Sequence, residues 1–162
     1  MDKGIVLLLV GLGLVFIPIV YVFVKSAKHS EKLREQGLEY SKLFKYEGGL
    51  DGKLPTLSNL EIYPNNIKLI LGNKSEEFEY SQIEKVSVMT KSQMKNYISV
   101  GRAAMFGVLS LAMKKEKEVE NFFVVIELKD NQSIALSTQF RNQCEKTYEY
   151  INKNLQKCKL SN

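Results

Sequence analysis

One apolar run near the N-terminus constrains this chain more than any other feature. Residues Ile5 to Val24 include no charged side chain, and only Gly11, Gly13 and Pro18 fall outside the apolar class. A helix of about twenty residues is roughly 30 Å long, which is the thickness of a bilayer's hydrocarbon core. We therefore expect residues 1–24 to form a transmembrane anchor.

A cleaved signal peptide is the alternative interpretation of this run. Signal peptides have an apolar core of about 7–15 residues followed by small residues at the cleavage site. The run here is longer, and Lys25 occupies a position where a small residue is needed. These differences favour an uncleaved anchor.

The basic residues around the run predict its orientation. Only Lys3 precedes the run, whereas Lys25, Lys28, Lys32 and Arg34 follow it. Cytoplasmic flanks of membrane helices are enriched in Lys and Arg. We expect a single-pass protein of the cell membrane whose C-terminal domain lies in the cytoplasm.

The next segment, residues 25–47, reads as a juxtamembrane helical spacer. Leu33, Gly37, Tyr40 and Phe44 recur at spacings of three and four residues, which is typical of one helix face. The stripe covers less than two heptads, so a short coiled coil and a loosely packed spacer both fit it. The glycine-rich residues 48–52 then break the helix, and the domain proper is expected over 48–162.

Within that domain the periodicity changes to that of β-strands. Leu57–Tyr63 and Ile67–Leu71 flank a Pro-Asn-Asn turn and predict a hairpin. We expect further strands in two pairs, the first Glu77–Tyr80 with Val86–Thr90 and the second Asn121–Lys129 with Ser133–Thr138.

An amphipathic helix is predicted at the C-terminus, over Arg141–Leu155. Its apolar positions Cys144, Tyr148, Ile151 and Leu155 have helical spacing and should face the sheet. Ser137 or Thr138 can cap its first turn. The predicted class of the domain is α+β, with about six antiparallel strands closed by one helix.

This order of elements resembles the pleckstrin-homology (PH) superfold, in particular bacterial PH-like and GRAM-like domains. The likeness depends on the Gly48-Gly49-Leu50 segment, on residues 78–86 and 99–103, and on the strand pair before the last helix. It implies a barrel or sandwich of two small antiparallel sheets whose open end is plugged by the terminal helix. It also implies a binding module for phospholipid headgroups or peptides, without catalysis.

A basic, acid-free stretch carries the candidate binding residues. Residues 85–115 contain six cations, four of the chain's methionines and an apolar run over Ala103–Met113. Such a surface could contact anionic lipid or an acidic partner. The alternative is that Ala103–Met113 is a core segment. The predicted contact residues are Lys91, Lys95, Arg102, Met105, Phe106, Lys114 and Lys115.

The sequence offers little for catalysis, metals or nucleic acid. His29 is the only histidine and lies in the spacer, so no Ser-His or Cys-His pair is expected within the domain. Cys144 and Cys158 stand alone without further ligands at metal spacing. We expect no enzyme activity, no metal and no cofactor. Nucleic acid is also not expected as a partner, because few aromatics accompany the cations.

These patterns together predict a membrane-tethered binding or scaffold module that contacts anionic lipid or a membrane-associated protein. The second hypothesis is a homo-oligomeric assembly element that docks through Ala103–Met113. A membrane-bound hydrolase is the third, and it lacks an evident nucleophile and base.

Overall fold

The computed structural model describes residues 20–21, 24–25, 28, 31–50, 56–99 and 120–160 of the chain. The chain divides into two compact units, residues 1–38 and 39–162.

The first unit ends in a helical turn that a glycine terminates. Residues 31–35 are helical, and Gly37 has a φ of 88°. The Leu38 N–H donates to the Leu33 carbonyl at 3.0 Å, and the Gly37 N–H donates to Arg34 at 2.9 Å. This pair of bonds is the Schellman arrangement, which closes a helix with a left-handed residue.

The second unit starts with a strand where the sequence predicted a continuing helix. Strand β1 covers Tyr40–Gly48, so the helical interpretation of residues 40–47 is wrong. Phe44 and Tyr46 are buried, whereas the Lys45 side chain is half exposed. Tyr40 and Phe44 are four residues apart, a spacing that places two side chains on one face of a helix and also of a strand.

The second unit is a seven-stranded antiparallel sheet followed by a C-terminal helix. Its strands run in the order β4-β3-β2-β1-β7-β6-β5. After β1, they are β2 Thr56–Ile62, β3 Asn66–Leu71, β4 Lys74–Glu79, β5 Ile83–Thr90, β6 Phe122–Leu128 and β7 Ser133–Thr138. The helices among the described residues of this unit are α1, Lys91–Ser99, and α2, Arg141–Leu160, and a 3-10 turn covers Tyr80–Gln82.

The predicted fold class is wrong in its N-terminal transmembrane helix. Across the described residues, no helix combines the length and apolar character needed to cross a membrane. Of the predicted anchor, only Val20, Tyr21 and Val24 are described. Apolar composition is required of a membrane span but does not establish one. The predicted antiparallel strands and C-terminal helix are present, and the strands form one continuous ladder because β1 pairs with both β2 and β7.

The sequence predicted two of the hairpins correctly and one incorrectly. The β2–β3 and β6–β7 hairpins lie where their turn residues placed them. The expected pairing of Glu77–Tyr80 with Val86–Thr90 is wrong, since β4 pairs with β3 and β5 pairs with β6. Strands β4 and β5 therefore lie at opposite ends of the sheet's strand order.

One face of the sheet packs with α2 to form the main core. Cys144, Ile151 and Leu155 of the helix are buried, as predicted. Tyr148 is instead 36% exposed, and the remaining buried helix positions are Thr147 and Asn154. The helix extends five residues beyond the predicted end, to Leu160.

The other face of the sheet is covered near β6 by α1. Met94 and Ile98 of α1 form a second buried cluster with Phe123 and Val125 of β6 and Ala135 of β7. This explains why β6 is apolar on both faces. Helix α1 begins immediately after β5 and contacts it on the outer face of the sheet. Helix α2 contacts β5 on the core face.

Candidate functional site

The structure describes two of the seven predicted contact residues. Lys91 lies half-buried at the start of α1, and Lys95 is exposed one turn later. The other five, Arg102, Met105, Phe106, Lys114 and Lys115, lie outside the described residues, as does the apolar run Ala103–Met113.

Two methionines of the predicted contact region have different surroundings. Met94 is fully buried in the second cluster, and Met89 is partly buried against it. Met94 is therefore a core residue and not part of a contact surface.

The most distinctive surface of the described residues is the free edge of β5. Both β4 and β5 are edge strands in this sheet. Strand β4 carries Lys74, Glu76, Glu77 and Glu79, and charges of this kind discourage further strand pairing. In β5, Glu84 and Lys85 are charged, but the residues Val86–Thr90 include no charge. The Val86–Thr90 part of the β5 edge therefore lacks the charged side chains that the β4 edge has.

The hydrogen bonds of β6 show which backbone groups of the neighbouring strand β5 point away from β6, towards the free edge. The Leu128 N–H donates to Gln132 on the β7 side at 2.8 Å, and the Lys129 N–H donates to Gln82 on the β5 side at 2.9 Å. Along a strand, the backbone N–H and C=O groups of successive residues point alternately to the two neighbouring strands. The backbone groups of Phe123, Val125 and Glu127 therefore point towards β5.

The partners of those residues in β5 are Met89, Ser87 and Lys85. The N–H and C=O groups of Val86 and Val88 therefore point to the free edge. Thr90 fits the same alternation, because its N–H donates to the Gln93 side chain at 2.9 Å instead of to β6.

A groove of about 700 Å³ lies between this edge and α2. The Val86 and Val88 side chains face the core side, where Phe122 and Tyr148 add apolar surface. Helix α2 contributes charged groups to the same groove. These are Arg141, Glu145 and Glu149, at spacings that place them on one helix face.

A second groove, of about 640 Å³, lies on the outer side of the same edge, next to α1. Ser87 and Met89 face this side. Val88 also lines this groove, and the other lining residues are mainly polar: Lys85, Gln93, Asn96, Tyr97 and Glu127. The free edge of β5 is thus bordered by one groove on each face of the sheet.

The charges of the two grooves include both signs. Arg141 and Glu145 are bonded to each other, with Nε and Oε1 2.8 Å apart. Lys85 lines both grooves, Glu127 lines the outer one and Glu149 lines the inner one. The charged residues that line the two grooves are therefore two cations and three carboxylates.

A cluster of polar groups in the C-terminal half of α2 stabilises the fold. The Asn154 side-chain amide donates to Glu39 at 2.7 Å, to the Tyr63 carbonyl at 3.3 Å and to the Tyr80 hydroxyl at 3.2 Å. The Tyr80 hydroxyl donates to the Tyr63 carbonyl at 2.9 Å. These bonds fix α2 to the start of β1 and to the 3-10 turn.

The large pKa shifts lie outside both grooves. Burial raises the pKa of Cys144 to about 12 and the pKa of Tyr80 to about 12. The pKa of Tyr63 is also raised to about 12, by burial and by its hydrogen bond to Glu61. All three shifts favour the neutral form. In the described residues, no group of three or more His, Cys, Asp and Glu side chains is placed to hold a metal ion.

Sequence reasoning missed the β5 edge because edge position depends on which strands pair. The signal that was present is the contrast between the charged residues 74–79 and the uncharged residues 86–90. That contrast becomes informative only when the strand order is known.

Comparisons with known proteins show a distant structural neighbour. No protein-family model and no curated protein matches the chain. A crystal structure of the C-terminal domain of an unknown protein from Leishmania infantum matches with a TM-score of 0.47 and 20% sequence identity. The match covers 85% of this chain and 97% of that chain.

Proposed function

We propose that this protein is a non-catalytic binding module that takes up an extended peptide segment of a protein partner along the edge of β5. The observation that carries the proposal is the uncharged edge at Val86 and Val88, with a groove on each face. A peptide strand added at a sheet edge gains affinity from main-chain hydrogen bonds and specificity from side-chain pockets.

The edge offers up to four backbone hydrogen bonds, from the N–H and C=O groups of Val86 and Val88. Each such bond contributes about 0.5–1.5 kcal/mol net in water. The half-buried Val88 and Phe122 and the exposed Tyr148 add apolar surface that a bound strand would cover. The PH-like resemblance of the sequence implies the same kind of function, a module that binds peptides or lipid headgroups.

The decisive test uses displayed random peptides selected against the immobilised full chain. Binding of an enriched peptide is then measured on the wild type and on Val88→Pro. Proline removes the edge-facing N–H, whereas the bonds between β5 and β6 involve the residues on either side. We expect Val88→Pro to weaken binding about tenfold, the equivalent of roughly 1.4 kcal/mol.

The matched control is Ser75→Pro on β4, the opposite edge. The β3–β4 hairpin closes with the Leu71–Lys74 pair, so the Ser75 N–H also points outward. This variant should bind as the wild type does. Thermal unfolding of both variants checks that they fold, and Val86→Pro serves as a second edge variant.

Hydrogen exchange gives a direct readout on the unmodified protein. The amides of Val86 and Val88 should exchange more slowly in the complex than in the free chain. The proposal is overturned if no peptide is enriched, or if bound peptides leave these amides and the proline variants unaffected. Concentration-dependent dimers protected at the same amides would favour the homo-oligomer instead.

A further inference from the structure

We infer that the bound strand is anchored by one aromatic side chain, which lies opposite Val88 and packs against Phe122 and Tyr148. This inference rests on the proposed function, because it assumes a strand paired with β5. It adds the class of peptide that the edge selects, an extended segment with a single essential aromatic residue that faces α2.

Tyr148 has the sequence spacing of a core residue but the exposure of a surface residue. It shares one stripe of α2 with Cys144, Ile151 and Leu155, which are at most 5% exposed, whereas Tyr148 is 36% exposed. Its side chain lines the groove between the β5 edge and α2, and none of the described strands lies beyond β5 on that side. A strand added to β5 would occupy this space and cover the Tyr148 ring.

Two further apolar side chains at this edge are only partly covered. Val88 and Phe122 are half-buried and pack at the margin of the main core. Because Phe122 pairs with Thr90, it is the diagonal neighbour of Val88 on the core face of the sheet. Val86, the other edge residue on this face, is only 7% exposed. The uncovered apolar surface of β5 on this face is therefore concentrated at Val88.

Strand geometry places one ligand side chain against this surface. Residues directly opposite each other in neighbouring strands have their side chains on the same face of the sheet. The ligand residue opposite Val88 therefore points towards α2. Phe122 and Tyr148 line the groove on the α2 side and do not line the groove on the α1 side, so the two faces of the edge differ in these rings.

The surroundings favour an aromatic ring over a smaller apolar side chain. The groove on the α2 side has a volume of about 700 Å³, so a large side chain fits beside the added strand. Aromatic rings attract one another in offset and edge-to-face arrangements, in addition to the gain from burying apolar area. Phe122 from β6 and Tyr148 from α2 supply two such rings.

The test uses a peptide enriched on the immobilised full chain, with each of its residues replaced in turn by alanine. One aromatic residue should be essential, and its replacement should weaken binding at least about tenfold, as the loss of a buried interface anchor does. On the Tyr148→Ala variant the same replacement should weaken binding only about threefold or less, because the ring has already lost a contact there.

Phe140→Ala is the matched control for Tyr148→Ala. Phe140 is 67% exposed, lies immediately before α2 and lines neither groove. On this variant the alanine replacement in the peptide should have the same effect as on the wild type. Thermal unfolding of both variants checks that they fold.

Tryptophan fluorescence gives a readout at the position of the anchor, because the chain contains no tryptophan. Tyr148→Trp introduces a single fluorophore in the groove, and its emission should shift to shorter wavelengths when the peptide covers the ring. Phe140→Trp is the control and should show no shift at the same peptide concentration.

The outcomes distinguish the two proposals. If binding depends on Val88 but no aromatic residue of the peptide is essential, or if its loss costs as much on Tyr148→Ala as on the wild type, the aromatic anchor is wrong while strand addition stands. If Val88→Pro leaves binding unchanged, or if no peptide is enriched, strand addition at β5 fails and the anchor fails with it.

Discussion

Thr90 and Gln93 form two reciprocal hydrogen bonds at the junction of β5 and α1. The Thr90 N–H donates to Gln93 Oε1 at 2.9 Å, and the Gln93 N–H donates to Thr90 Oγ1 at 3.3 Å. This reciprocal pair is a capping box, which satisfies amides that the first turn of a helix leaves unpaired. It fixes the start of α1 at the end of the candidate binding edge.

Replacing Thr90 by Ala should destabilise the protein, because the first turn of α1 loses its side-chain acceptor. We expect the free energy of unfolding to fall by about 1 kcal/mol. Urea denaturation measures the change. Ser92→Ala, at an exposed position of the same turn, is the control and should change stability little. Equal losses in the two variants would contradict the role of the capping box.

Gly49 should not tolerate a side chain. It has a φ of +112°, and a Cβ there would lie 1.4 Å from the Ser133 carbonyl oxygen. Gly49→Ala forces the backbone apart and should cost more than about 4 kcal/mol or prevent folding.

Gly72 is the matched comparison for this substitution. Its φ is +61°, but a Cβ there meets nothing within 4 Å. Gly72→Ala should therefore cost only about 1–2 kcal/mol, the penalty of the left-handed conformation. Thermal unfolding that ranks the two variants in the reverse order would show that the contact with Ser133 is not the dominant effect.

Asn154→Ala should destabilise the protein, because the Glu39 carboxylate, the Tyr63 carbonyl and the Tyr80 hydroxyl lose the amide that donates to them. We expect a loss of about 1–3 kcal/mol, since hydrogen bonds contribute about 0.5–1.5 kcal/mol each and those to charged groups more. Chemical denaturation checks the value. Asn142→Ala, at an exposed position of the same helix, should remain within about 0.5 kcal/mol of the wild type.

Stability should fall as the pH rises above about 9. Burial raises the pKa of Cys144 from 9.0 in the unfolded chain to about 12 in the folded protein. Between these values the unfolded thiol loses its proton while the folded thiol keeps it, so ionisation favours unfolding. The loss should be on the order of 1 kcal/mol per pH unit from this group.

Cys144→Ala should flatten this decline, whereas Cys158→Ala retains the buried thiol and should keep the wild-type pH profile. Urea denaturation at a series of pH values between 8 and 12 measures both. Part of the decline should persist in Cys144→Ala, because burial also raises the pKa of Tyr80 from 10.0 to about 12. Parallel profiles for the wild type and Cys144→Ala would contradict the contribution of Cys144.

The elements that the sequence predicted correctly are those encoded by neighbouring residues. The Pro64-Asn65 and Asp130-Asn131 turns specify the β2–β3 and β6–β7 hairpins, and the apolar spacing after residue 140 specifies α2. Turn chemistry and helical periodicity are local properties, so they can be read without knowing the rest of the fold.

Strand partners and exposure were decided by the tertiary structure alone. The segment Glu77–Tyr80 precedes Val86–Thr90 closely in sequence, yet β4 and β5 lie at opposite ends of the sheet's strand order. Tyr148 has the helical spacing of a core residue, but it lies beside the groove at the β5 edge. The sequence alone determined the local turns, the α2 periodicity and the uncharged stretch Val86–Thr90. Only the tertiary structure placed that stretch at an edge of the sheet that the described strands form, because strand pairing joins residues that are distant in the chain and so leaves no local pattern.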